Sequence, residues 1–87
     1  MSRKTIEIYG RDDCRFCAAA RAHCERKGYP FVYHDMTENL VLAFDLLDRL
    51  GGDPETVPQI FIGDHHIGGF EDLRSNDDVI QQIIGGS

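Results

Sequence analysis

The chain has 87 residues, 15 acidic against 9 basic, a net charge of −6 and three cysteines. That is room for one domain, residues 1–87, around one modest core, and at 41% hydrophobic the composition is that of a folded chain. The acidic balance speaks against a nucleic-acid partner, and the shortness of every apolar run speaks against a membrane span.

The opening MSRKTIEIYG is basic but runs straight into a strand pattern, without the apolar stretch of a secretory leader. The expected compartment is therefore the cytoplasm. In TIEIYG (5–10), Ile6 and Ile8 alternate with Glu7 and Tyr9, and a glycine closes the strand. CRFCAAARAHCERKG (14–28) is alanine-rich, carries Arg26 and Lys27 in its last turn and stops at Gly28, as a helix does. YPFVYHDM (29–36) is aromatic and β-branched after Pro30, a second strand. Strand, helix and strand this close together form a βαβ unit with parallel strands.

From Thr37, a plausible N-cap, TENLVLAFDLLDRLGG places Leu40, Ala43, Phe44, Leu47 and Leu50 on one helical face, with Gly51-Gly52 as the stop. VPQIFIGDHHIGG gives two short strands about a Gly63-Asp64 turn of the tight II′ kind. FEDLRSNDDVIQQII (70–84) is one broken helix or two short ones, with Ser75 or Asn76 able to cap the second. The run Asn76-Asp77-Asp78 reads as a solvated helix start, and the final GGS as a frayed end. The order βαβαββα implies an α/β domain: a four-stranded mixed sheet flanked by helices, with the thioredoxin-like architecture among the options.

Cys14 and Cys17 stand three apart where the first strand meets the first helix. The spacing suits half of a zinc site or a redox pair. For zinc, His23 and Cys24 would have to supply the other half, and a tetrahedral site closes poorly around one straight helix. For redox chemistry the position is apt. A helix start carries unpaired N–H groups and partial positive charge, which favour a thiolate, so a lowered pKa is expected for Cys14. Arg11 and Arg15 add to that effect; Asp12 and Asp13 oppose it, and Asp13 competes for the N-cap. Cys14 can attack a disulfide, and Cys17, one turn on and more shielded, can resolve the mixed disulfide. Cys24 shares a helical face with Cys17 and Ala20 and reads as core filling. His23 reads as a buried or capped side chain, and His65 and His66 as strand neighbours on opposite faces.

Three separated stretches, RDDCRFC (11–17), TVPQIFI (56–62) and HIGGFEDL (66–73), follow the strand IEIYG. In that order, and over nearly the whole chain, they resemble the glutaredoxin family. The resemblance implies the thioredoxin-like (glutaredoxin) fold and a glutathione-dependent thiol–disulfide oxidoreductase. Cys14 and Cys17 would be its catalytic dithiol. Its substrates would be protein disulfides and glutathione mixed disulfides, with glutathione as reducing co-substrate.

The implied glutathione contacts are Arg11, Phe16, Thr56, Val57, Pro58, Gly69, Phe70, Glu71 and Asp72. Val57-Pro58 would be a cis peptide bond, presenting the Val57 backbone beside Cys14 to an extended peptide. Gly68-Gly69 and the helix start after it would receive the γ-glutamyl end, with Asp72 on its ammonium. Asp72 can equally serve as a helix cap. Arg11 would face the glycyl carboxylate, and otherwise is a solvated surface residue.

Arg15 stands where the commonest dithiol members have proline, Phe16 where they have tyrosine, and Phe70 where many carry an extra cysteine. Some members without the proline hold a [2Fe–2S] cluster between two subunits, in which case Cys14 would be a cluster ligand; otherwise no metal is expected. A further alternative is a redoxin of this fold reduced by thioredoxin reductase and serving ribonucleotide reductase. The expected state is a monomer.

Overall fold

Alternation along the first strand decides the layering. Ile6 and Ile8 of β1 (Ile6–Gly10) enter one apolar cluster, and Tyr9 enters another on the opposite face of the sheet. The computed structural model describes residues 4–85. The elements that follow are α1 (Arg15–Lys27), β2 (Phe31–Asp35), α2 (Leu40–Leu50), β3 (Gln59–Ile62), β4 (His65–Gly68), α3 (Phe70–Ser75) and α4 (Asp77–Gly85). Residues 86 and 87 of the expected frayed end lie outside the described residues.

The four strands form one mixed sheet in the order β2-β1-β3-β4. β2 runs parallel to β1, with Ile8 opposite Tyr33, and β3 runs antiparallel to it, with Ile8 opposite Ile60. β3 and β4 are a hairpin whose turn residue Gly63 has φ +60° while Asp64 keeps a negative φ, the pattern of a II′ turn. The larger core joins Ile6, Ile8, Ile60 and Ile62 to Ala20 and Cys24 of α1, Leu73 of α3 and Ile80 of α4. Burying such side chains is the main stabilising term, about 25 cal/mol per Å² of apolar surface. The smaller core sets Leu46 of α2 against Tyr9 and Phe61. Arg49 of α2 is bound to that face as well: its guanidinium donates to the Tyr9 hydroxyl (3.1 Å) and the Gly63 carbonyl (2.6 Å) and lies over the Phe61 ring.

Two expectations about α2 are corrected. Asn39, not Thr37, caps α2: its Oδ1 accepts the Val41 N–H at 3.0 Å. Thr37 instead donates its N–H to the Asp35 carboxylate, in a turn that delays the helix. The buried residue of α2 is Leu46, whereas Leu40 and Phe44 are 71% and 67% exposed. LVLAFDLLDRL is apolar on more than one face, so periodicity alone does not choose the inner one.

The C-terminal run is two helices. The Asn76 carbonyl accepts the Ile80 N–H at 2.9 Å, while its side chain donates back to the Asp72 carbonyl at 2.7 Å, closing α3 and opening α4. Asp77 is not simply solvated. Its Oδ1 accepts the Tyr29 hydroxyl at 2.6 Å and pairs with His23 Nε2 at 3.0 Å, and its Oδ2 stands 3.5 Å from Lys27 Nζ. That carboxylate locks α4 to α1, and His23 is the buried, partnered side chain expected.

Candidate active site

The N-cap of α1 is Cys14, not Asp13. Its backbone is extended (φ −112°, ψ 116°) and its Sγ accepts the Cys17 N–H at 3.1 Å. Sulfur here does the work of a capping oxygen, since helix-start N–H groups have no partner within the helix. All three cysteines are free thiols: Cys14 is half-buried, Cys17 and Cys24 are buried. Burial, and after it the hydrogen bond with Cys14, pushes the Cys17 thiol up to about 11. Cys24, deep among apolar side chains, is pushed up to about 12, first by burial and then by Asp77 and Glu25. Cys14 is thus the accessible sulfur of the three, and Cys17 is a masked second thiol.

The Val57-Pro58 peptide bond is cis, and the Val57 carbonyl stands 3.7 Å from Cys14 Sγ. Beside it a groove of about 260 Å³ is lined by Phe16, Thr56, Val57, Pro58, Gly69, Phe70, Glu71 and Asp72. These residues come from three separated stretches, brought together by the hairpin that carries β4 past β3. Phe16, 52% exposed, stacks on Phe70 with ring centroids 6.3 Å apart, forming one wall. Asp72 Oδ2 accepts the Gly69 N–H at 3.1 Å, so it does cap the turn into α3. The carboxylate of Glu71 holds Arg74.

Arg11 lies apart from these eight. It lines a neighbouring cavity of about 480 Å³ that shares Thr56 and Val57 and is bounded by Met36, Leu40, Ala43 and Leu47 of the α2 side. Its guanidinium is exposed and only loosely paired with Asp13, at 3.8 Å. His65 and His66 do not join the site: His66 bonds Gln59 at 2.7 Å and stacks on Phe61.

One neighbour of the cysteine pair escapes sequence reasoning. Tyr33 of β2 reaches under α1, and its hydroxyl donates to the Arg11 carbonyl at 2.8 Å, beside Cys17. The parallel pairing of Ile8 with Tyr33 is the signal that locates it, because both then face α1.

The glutaredoxin family model matches residues 6–67. The chain belongs to the glutaredoxin family. A glutaredoxin of Vibrio cholerae is 36% identical over 75 residues, covering 80% of this chain and 86% of that protein. Glutaredoxin 3 of Escherichia coli is 38% identical over 72 residues, covering 83% and 84%. The solution structure of a glutaredoxin from Brucella melitensis aligns over 100% of this chain and 96% of its own, with a TM-score of 0.72 and 34% identity. The glutaredoxin fold expected from the sequence is thus present, and with the family comes a thiol–disulfide oxidoreductase role. Among the described residues no helix is long and apolar enough to cross a membrane.

Proposed function

We propose that this glutaredoxin uses glutathione to reduce glutathione mixed disulfides and protein disulfides through the Cys14–Cys17 dithiol. The observation that carries the reading is the groove lined by Phe16, Thr56–Pro58 and Gly69–Asp72, which meets Cys14 at the Val57 carbonyl. An extended tripeptide laid along Val57 puts its own cysteine beside Cys14. Its γ-glutamyl end then reaches Gly69–Asp72, where Asp72 keeps a second oxygen for the ammonium. Phe16 and Phe70 wall the peptide, Glu71 adds charge to the rim, and Arg11 takes the glycyl carboxylate.

With a glutathione mixed disulfide, the Cys14 thiolate attacks the glutathione sulfur and the client leaves as a thiol. Free glutathione then attacks the Cys14–glutathione bond, releasing oxidised glutathione. With a protein disulfide, Cys14 attacks first and Cys17 expels the client, leaving a Cys14–Cys17 disulfide that two glutathiones reduce. A reductase using NADPH restores the glutathione. The setting is the cytoplasm, the state a monomer, and the clients disulfide-bonded or glutathionylated proteins, with ribonucleotide reductase among the candidates.

For a [2Fe–2S] cluster the chain supplies one accessible thiol, Cys14, because Cys17 and Cys24 are both 0% exposed. These residues fit a cluster only between two copies, with two glutathione thiols as the remaining ligands.

The test is turnover of a glutathione mixed disulfide with glutathione, its reductase and NADPH. The parent and Cys17→Ser turn over and Cys14→Ser does not. Equal failure of both variants contradicts the division of roles. Reduction by thioredoxin reductase with none by glutathione makes the protein the other kind of redoxin.

A further inference from the structure

Cys17 has to act as a nucleophile from a site that water does not reach, since it is 0% exposed. A thiolate formed there without a hydrogen-bond donor is costly. The donor is under α1. Gly10 ends β1 directly beneath Cys17. A methyl group on it would sit 2.5 Å from Tyr33 Oη and 2.7 Å from Cys17 Sγ. Hydroxyl and sulfur therefore share the space that Gly10 leaves by having no side chain. The Tyr33 ring is fixed there by packing against the larger core and by the Arg21 guanidinium, 4.5 Å from its centroid. Its hydroxyl donates to the Arg11 carbonyl at 2.8 Å. Turning about the C–O bond re-aims that proton at Cys17 Sγ while the ring stays in place.

We infer that Tyr33 is a positioning residue for resolution: its hydroxyl bonds Arg11 while Cys17 is a thiol and turns to Cys17 as that sulfur becomes anionic. The inference rests on the dithiol reading above. In the step, Cys17–SH and Cys14–S–S–client give the Cys14–Cys17 disulfide and client–SH. The bond from Cys17 to Cys14 forms, the bond from Cys14 to the client breaks, Cys17 is oxidised and the client sulfur reduced. The Cys17 proton ends on the departing client thiolate, and Tyr33 keeps its own. The electrostatics agree. Burial and Cys14 raise the Cys17 thiol, whereas the Arg11 backbone and the Tyr33 hydroxyl pull it down. Burial, then Cys17, holds Tyr33 above the ordinary tyrosine range, so it stays a donor at neutral pH. The other titratable groups acting on Tyr33 are Asp35 and Cys14.

The test separates the two thiol steps. Reduced protein is mixed with an aromatic disulfide, dithiobis-nitrobenzoate, and release of the coloured thiol is followed over a range of pH. Attack by Cys14 releases the first equivalent and resolution by Cys17 the second. In Tyr33→Phe the first phase keeps its rate. The second slows about tenfold at neutral pH, the loss of one hydrogen bond to a charged group, and its pH–rate limb moves to higher pH. Replacing Tyr33 by 3-fluorotyrosine, a stronger donor of the same shape, moves that limb to lower pH. A second phase unchanged in rate and pH dependence in both proteins overturns the inference, as does equal slowing of both phases in both. A second equivalent released by Cys17→Ser overturns the dithiol reading instead.

Discussion

Cys14 Sγ accepts the backbone N–H of Cys17 at 3.1 Å. The proposed nucleophile and the cap of α1 are thus one atom, and the contact also holds the two cysteines one helical turn apart. Serine, a good N-cap, can replace the structural half of that role but not the redox half. Cys14→Ser is expected to melt close to the parent while losing all disulfide reduction. Cys14→Ala is expected to be about 1 kcal/mol less stable. Thermal melts of the two variants beside the parent check this.

Gly68 has φ +121°, and a methyl group there would run into the Asp72 carboxylate. Gly68→Ala is expected to cost about 1–3 kcal/mol of stability through backbone strain and the displaced cap. It also moves Asp72, which lines the groove. Asp72→Ala is expected to raise the apparent KM for glutathione about tenfold with kcat little changed, as loss of a charge-assisted hydrogen bond does. Steady-state kinetics in varied glutathione read both effects.

Asp77 gives the protein an acid limit. Burial works against its charge, but the Tyr29 hydroxyl, His23 and Lys27 outweigh burial and hold its carboxyl below the usual 3.8. A carboxyl depressed in the folded state stabilises it above the unfolded value, and that contribution fades as pH falls through the folded one. Asp77→Asn is expected to cost about 1–3 kcal/mol at neutral pH, with the gap to the parent narrowing below 3.8. Denaturant midpoints across the acid range measure it.

At the alkaline end the buried thiols contribute with the opposite sign. Cys24 is raised from 9.0 to about 12. The folded state binds that proton more tightly, so its contribution is complete below 9.0 and is lost as pH climbs toward about 12. Cys17, raised to about 11, acts in the same direction. Cys24→Ala is expected to be about 1–2 kcal/mol less stable at neutral pH, because it leaves a small cavity, yet to show a flatter alkaline decline. Unfolding at neutral and alkaline pH distinguishes the two slopes.

The sequence was readable where one local rule sufficed. Alternation in TIEIYG, alanine after Cys14, Gly28 at a helix end and Gly63-Asp64 at a turn each have a single outcome. RDDCRFC, TVPQIFI and HIGGFEDL supply the eight residues that line one groove. Reading failed where the deciding partner is distant along the chain. Leu46 is inward because of Tyr9 and Phe61, which no periodicity within α2 contains. Asp77 looked solvated because Tyr29 and His23, its partners, lie about 50 residues earlier. Tyr33 became a neighbour of Cys17 only through strand register. Arg11 lines the adjoining cavity with residues of the α2 side, and the next residue is tied there by its N–H bond to the Thr37 hydroxyl.

The most direct measurement is a trapping experiment. Cys17→Ser protein is incubated with oxidised glutathione, and the adduct is located by mass spectrometry of its peptides. The account predicts a single glutathione, bound to Cys14, removed by free glutathione and accompanied by NMR shifts at Val57, Gly69 and Asp72. An adduct on Cys24 instead, or a Cys14 adduct that leaves the groove resonances unmoved, contradicts it.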